Sequence, residues 1–363
     1  MSTLPRPSPL LSRKFVARLA LSLSISALMI FLSLRNADLR AIGTAIANAD
    51  PWPVIGYASI LLVVHLVKTL RWWLLLLPLG PTSFRRVNAA SAVGFMLLVL
   101  MPLRLGELAR PLIVSRPSRE GEVPLRRSAA LASCVVERVV DLLAVGVLGI
   151  ISLHMLAATG HSAELAQRAA TIVTAGVGVA CVGMVLAFFL RVPTVRSIER
   201  VLTPLSAKLA GRLSRLVDGF ILGLHIGSLG RLLAFLALTA AYWALHVVGF
   251  WLVARAFQMP ISPLMAATVL ASQVVGIMIP AGPGMVGTSQ FFTQLGLSIF
   301  IPGALSIPAV ASRAAAYANT IWLLQFGQQV LTGLPFLVGG RVSLQGLFER
   351  RDPETVLQSP SNA

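Results

Sequence analysis

Charged residues stand three or four positions apart within apolar sequence at two places in this chain. The first is Pro102-Leu-Arg-Leu-Gly-Glu-Leu-Ala-Arg110, which follows the apolar run 89–101. On a helix, Arg104, Glu107 and Arg110 share one broad face. If a helix starts near Gly106, its first N–H groups point into the preceding turn and favour an anion there. Arg104 and Arg110 add positive charge, and a phosphate headgroup fits such a site. Glu107 is placed to pair with the arginines or with a cationic group on the ligand. A cluster that snorkels to the membrane surface is the plainer account. The second place is Glu137, Arg138 and Asp141, where two carboxylates four residues apart share a helical face. They need cationic partners, and Arg104, Arg110, Arg138 and Arg313 are the candidates. A structural ion-pair network that locks helices together is the competing reading.

A third segment offers neutral groups instead. Pro280, Gly282, Pro283, Gly284 and Gly287 break helix geometry and leave backbone groups free, and Thr288, Ser289 and Gln290 add uncharged hydrogen-bonding side chains. A packing kink without a ligand is the alternative. His65 and Lys68 stand in another apolar run; for His65 a satisfied hydrogen bond in the core is the simpler expectation. Cys134 and Cys181 read as small core residues, with neither zinc-ligand spacing nor a disulfide framework. No metal site and no cofactor is expected.

The elements that position these residues are membrane helices. The chain has 363 residues, of which 56% are hydrophobic and 12% charged. Its mean hydropathy is +0.83, and soluble domains carry roughly twice that charge. Several apolar runs reach the ~20 residues that a helix needs to cross ~30 Å of hydrocarbon. Period-two alternation is absent, which argues against a β-barrel. The expectation is an all-α polytopic membrane protein. The net charge of +17 would point to nucleic acid in a soluble protein, but cytoplasmic loops of membrane proteins collect Lys and Arg, so no nucleic-acid partner is expected.

Six long transmembrane helices are expected near residues 15–34, 54–77, 128–156, 169–190, 232–254 and 304–337. Arg71-Trp72-Trp73 reads as an interfacial anchor closing the second. Two further apolar segments are each broken by Pro and Gly. Residues 87–101 and 105–114 are short, with a tip at 101–106, and read as a re-entrant hairpin. Residues 264–279 and 285–300 form a second hairpin or two full crossings. Arg-rich sequence over 192–230 carries a stripe of Leu209, Leu213, Leu216 and Phe220, expected either on the cytoplasmic leaflet or packed on the protein itself. This layout places most of the 30 Lys and Arg in the cytoplasm, including Arg71, Arg85 and Arg86. Only Arg35, Arg40, Arg168 and Arg255 fall outside. Both termini are therefore expected inside. Residues 1–14 and 339–363 read as tails flanking a membrane domain at 15–338. Its halves, 15–157 and 169–338, have opposite orientation, so an inverted-topology repeat is expected, with the hairpins meeting near the midplane.

Pro-x-Arg-x-Gly-Glu-x-x-Arg at 102–110 resembles the signature of the lysylphosphatidylglycerol synthase transmembrane region, or flippase-like domain, family. So do Arg71-Trp72, Glu137-Arg138-x-x-Asp141, the Pro283-Gly284-x-x-Gly287 turn, and Arg313 with Tyr317. The matches keep the family's order from about residue 15 to 338. The chain departs from the family where Gln290 replaces a frequent Glu, and where Leu97 to Met101 replaces Asn residues before Pro102. The resemblance implies a bacterial inner-membrane protein linked to phospholipid translocation, with a phospholipid or lipid-linked anionic headgroup as its ligand. About 25 residues follow the last span, so the soluble synthase domain, and its activity, are not expected. The implied substrate-binding set is Arg104, Glu107, Arg110, Glu137, Arg138, Asp141, Pro283, Gly284, Gly287, Gln290 and Arg313. The competing expectations are a non-transporting partner of a lipid- or glycan-modifying enzyme, and a membrane enzyme acting on lipid. The second lacks a Gly-rich nucleotide loop, a His-rich metal cluster or a nucleophile motif.

Overall fold

Capping residues start most of the helices. Asp38 accepts from the Arg40 amide and opens α2, Leu39–Ala47, which follows α1, Arg13–Leu34. Asp50 accepts from the Trp52 amide, and Pro51 supplies a preset φ at the first position of α3, Pro51–Leu76. Ser83 opens α4, Phe84–Leu100. Pro102, which has no N–H to continue a ladder, then begins a tight 3₁₀ segment, Pro102–Leu108, leading into α5, Ala109–Val114. Next come α6, Arg127–Ala158, and α7, Leu229–Ala256, the latter capped by Ser228. Ser262 and Pro263 start α8, Pro263–Met278. A turn at Pro283–Met285 separates it from α9, Thr288–Ser298, and α10 is Pro308–Val338. The computed structural model describes residues 13–116, 124–158 and 228–340, and these are all-helical, with no strand among them.

Four helices among the described residues are long and apolar enough to cross a bilayer: Val16–Leu34, Pro51–Leu79, Leu229–Ala256 and Pro308–Val338. These correspond to four of the six expected spans. The third expected span forms as α6 but is not one of the four. At 32 residues it is about 48 Å long, and it carries Glu137, Arg138 and Asp141. The fourth expected span, the basic stripe from Leu209 to Phe220, and most of both tails lie outside the described residues.

Both broken segments fold as helix–turn–helix hairpins whose halves pack on each other, α4 on α5 and α8 on α9. In the first, Gly106 lies against the backbone of α4. A Cβ there would come within 2.2 Å of the Leu98 nitrogen, so only glycine permits this return path. In the second, Gly284 has φ +70°, in the left-handed region that glycine enters without a Cβ penalty. The turns of the two hairpins touch each other, and α4 also contacts the Pro283–Met285 turn. Among the described helices the most extensive contact is α3 against α7, where Tyr57 and Phe250 meet edge-to-face at 6.2 Å.

Two arginines expected at the cytoplasmic surface are instead buried. Arg71 is fully enclosed, and Arg86 sends Nη2 to the Arg116 carbonyl at 2.7 Å. An arginine beside tryptophans reads as an interfacial anchor in sequence. Here the phase of α3 turns Arg71 and Trp72 inward together with Val64, His65 and Leu75.

Candidate functional site

Two buried ion pairs converge on α6. The Arg71 Nη2 of α3 donates to Asp141 Oδ1 at 2.7 Å, and the Arg110 Nη1 of α5 donates to Glu137 Oε2 at 2.9 Å. The carboxylates are one helical turn apart, so α6 presents both to its neighbours. Aromatic rings complete the setting. The Arg110 guanidinium lies 4.3 Å from the ring centres of both Trp72 and Phe95. That of Arg71 lies 5.1 Å from the Tyr242 ring and 5.3 Å from that of Phe235. Trp72 is itself fixed by its indole N–H, which donates to Ser133 Oγ at 2.9 Å. Asp141 thus couples to Arg71, which was not among the four candidate partners, while Glu137 couples to Arg110, which was.

Beside these pairs lies a cavity of about 390 Å³, within the size range of small-ligand pockets. One part of its wall is charged: Lys68 from α3, Glu107 from the 3₁₀ segment, and Arg138 and Asp141 from α6. Lys68 Nζ stands 4.1 Å over the Phe95 ring and 5.6 Å from that of Tyr242, a cation–π setting rather than an ionic one. Among the described residues, neither Lys68 nor Arg138 has a carboxylate within 4 Å. Another part is uncharged: Gln273 from α8, Ser289 from α9, and Gln325, Gln328 and Gln329 from α10. The remainder is aromatic and aliphatic, with Trp243 and His246 on α7, Trp322 on α10, and Leu61, Leu98 and Leu270 among the aliphatic groups. The Trp243 Nε1 and His246 Nδ1 atoms are buried and have no hydrogen-bond partner among the described residues.

A model of the lysylphosphatidylglycerol synthase TM region family matches residues 18–323. The chain belongs to that family. The match covers both hairpins, both ion pairs and the charged wall, and it ends before Gln325. No curated protein sequence matches the chain, and no solved structure does.

Within this family member the expected site residues separate into groups. Glu107, Arg138, Asp141 and Gly284 line the cavity. Arg110 and Glu137 form the buried pair behind it, and Pro283 begins the turn that carries Gly284. Gly287 and Gln290 face elsewhere. The Gly287 N–H donates to Gln290 Oε1 at 2.8 Å, and a Cβ on Gly287 would meet the Ser26 carbonyl of α1. Gln290, in the place of the family's frequent Glu, therefore caps α9 locally. Arg313 is exposed and lines no part of the cavity, so it is not the carboxylates' partner. The side chain of Arg104 lies outside the described residues. His65 bonds Asn88 through Nε2 at 3.0 Å, as expected of a core histidine, and it also borders the cavity.

Sequence reasoning missed Arg71, Tyr242, His246, Gln273 and Gln325. For Arg71 the signal was present: Lys68, Arg71 and Leu75 follow one another at three- and four-residue spacing on α3. Gln273 on α8 and Gln325 on α10 are 52 residues apart and meet through a side-chain hydrogen bond that only the folded chain brings about.

Proposed function

We propose that this chain moves a lipid between leaflets by taking its anionic headgroup into the cavity between the two hairpins, in a bacterial inner membrane with both termini cytoplasmic. The observation that carries this reading is the pair Lys68 and Arg138 on the cavity wall, with no carboxylate within 4 Å of either among the described residues. Among the described side chains here, Lys68, Arg71, Arg110 and Arg138 bring four positive charges against three negative ones from Glu107, Glu137 and Asp141, a difference that one anionic group offsets. The volume suits a headgroup and not two acyl chains, which would remain in the bilayer while the polar end moves.

An inverted repeat fits this reading, because helix contacts recur in matched pairs. If α3, α4, α5 and α6 correspond to α7, α8, α9 and α10, then α4 on α10 matches α8 on α6. Likewise α5 on α6 matches α9 on α10, and α3 on α4 matches α7 on α8. The contacts of α3 with α7, and of one hairpin turn with the other, map onto themselves. A cavity on such an axis is where alternating access places a substrate.

The test is leaflet transport in proteoliposomes holding acyl-labelled phosphatidylglycerol or phosphatidylethanolamine. Lys68→Ala and Arg138→Gln should each reduce transport of the anionic lipid at least tenfold, with protein level and helix content unchanged. Wild-type protein that moves neither lipid, yet co-purifies with a lipid- or glycan-modifying enzyme, would replace transport with the partner-subunit reading.

A further inference from the structure

The uncharged wall of the cavity is built as carefully as the charged one, and an anion does not require it. Gln273 is 2% exposed. Its amide N–H groups donate to Ser289 Oγ at 3.0 Å and to Gln325 Oε1 at 3.4 Å. Gln325 Nε2 in turn donates to Tyr57 Oη at 3.0 Å. Gln329 uses its Nε2 on the Gln325 carbonyl and Gln328 uses its own on Thr332 Oγ1, at 3.2 Å each. These bonds consume amide donors. They leave the side-chain oxygens of Gln273, Gln328 and Gln329 without a hydrogen-bond donor among the described residues. Trp322 supplies a flat surface beside them, stacked on Phe326 at 5.3 Å and fixed by an indole N–H bond of 2.8 Å to the Gly284 carbonyl.

These side chains line the cavity, so a ligand that displaces water from beside their oxygens must donate hydrogen bonds in its place. The glutamine side of the lining brings no carboxylate to pair with an ammonium group, which favours uncharged donors there. Hydroxyls satisfy both conditions. Position supports the same assignment. Tyr57 and Lys68 are eleven residues apart on α3, roughly 16 Å at 1.5 Å per residue. Gln325, bonded to Tyr57, therefore lies toward the other end of the α3 lining from Lys68.

Resting on the headgroup reading above, we infer that the cavity selects an anionic lipid whose phosphate continues into an uncharged, hydroxyl-rich group. The phosphate lies toward Lys68 and Arg138, and the hydroxyls lie against Gln273, Gln328 and Gln329 with Trp322 beside them. Glycerol and a sugar share this chemistry.

Equilibrium binding to the purified full-length chain in detergent tests the inference. One pair of probes is phosphatidylglycerol and phosphatidic acid, which differ by the glycerol. The other is a short polyprenyl-phosphate sugar and the bare polyprenyl phosphate, which differ by the sugar. Wild-type protein should bind the hydroxyl-bearing member of at least one pair about tenfold more tightly, and that pair names the source of the hydroxyls. Gln273→Leu and Gln329→Leu should remove that preference, so that the two members of the pair bind within about twofold of each other. Lys68→Ala should weaken both members of the pair. Equal binding within both pairs by wild-type protein overturns the inference without needing any variant, and leaves the headgroup reading standing if Lys68→Ala still weakens binding. Anion binding that ignores Lys68→Ala and Arg138→Gln overturns the headgroup reading itself.

Discussion

Replacing Glu137 by Gln leaves Arg110 charged and enclosed. The side chains of the pair are 4% and 2% exposed, so water cannot take the place of the lost carboxylate. Breaking such a pair from one side costs about 3–5 kcal/mol. Trp72 and Phe95, each 4.3 Å from the guanidinium, offset up to about 2 kcal/mol by cation–π attraction. The cost of Glu137→Gln is therefore expected near the lower end, about 3 kcal/mol. Arg110→Met leaves the buried Glu137 carboxylate without its direct partner and should cost a similar amount. In the double variant no orphan charge remains, so the combined loss should fall short of the sum by about 2–3 kcal/mol, the range of coupling seen for direct partners. The assay is reversible unfolding in mixed detergent micelles over the four proteins of the cycle. A parallel cycle pairing Glu137→Gln with Arg313→Gln should be additive to within about 0.5 kcal/mol, because Arg313 is exposed. Additivity of the Glu137 and Arg110 changes would refute the pairing, and coupling to Arg313 would refute the placement of both.

Gly106→Ala should unfold the first hairpin, since its Cβ would lie within 2.2–2.4 Å of Leu97 and Leu98 backbone atoms; loss of helical circular dichroism and of folded protein on gel filtration checks this. Gly284→Leu should reduce anion binding, because it puts a side chain at a position that lines the cavity and strains the turn through its positive φ; titration of the purified variant with phosphatidylglycerol checks this. Labelling of single cysteines in sealed cells should place positions 116 and 126 on one side of the membrane, the cytoplasmic one; external reaction at either would refute the re-entrant path of the first hairpin.

What the sequence displayed well was local. Pro102 and Gly106 mark the first break, Pro283 and Gly284 the second, and both hairpins form within a few residues of where those breakers put them. Helix phase also showed that Glu137 and Asp141 share a face. The choice of partner was not local. Three of the candidate arginines are equally plausible by charge, and Arg110 is selected because its side chain crosses α4 at Gly94, where a Cβ would fall 2.1 Å from Arg110 Cγ. Arg71 was hidden by its neighbours, since Arg-Trp-Trp has the composition of an interfacial anchor and composition does not report rotation about the helix axis. The amide wall had no sequence signature at all. Its glutamines come from α8 and α10, and single glutamines in apolar helices carry no spacing rule until the helices are packed.

The two ion pairs have a consequence for binding that their stability does not express. A buried pair is weak evidence for stabilisation, but here each pair occupies a carboxylate beside a cation that the cavity needs. Arg138 lies between Glu137 and Asp141 in sequence, and Lys68 is one turn from Arg71 on α3. If Arg71 and Arg110 did not hold the carboxylates, Asp141 and Glu137 would add to Glu107 as anions competing with a headgroup for Arg138 and Lys68. Arg71 does not line the cavity. Nevertheless Arg71→Gln should lower affinity for phosphatidylglycerol about tenfold, because Asp141 is released to compete for the cavity's cations. Adding Asp141→Asn should recover most of that loss, since it removes the competitor along with the orphan charge. Recovery separates competition from structural damage: a double variant that binds no better than Arg71→Gln alone would show that Arg71 acts only by holding α3 to α6.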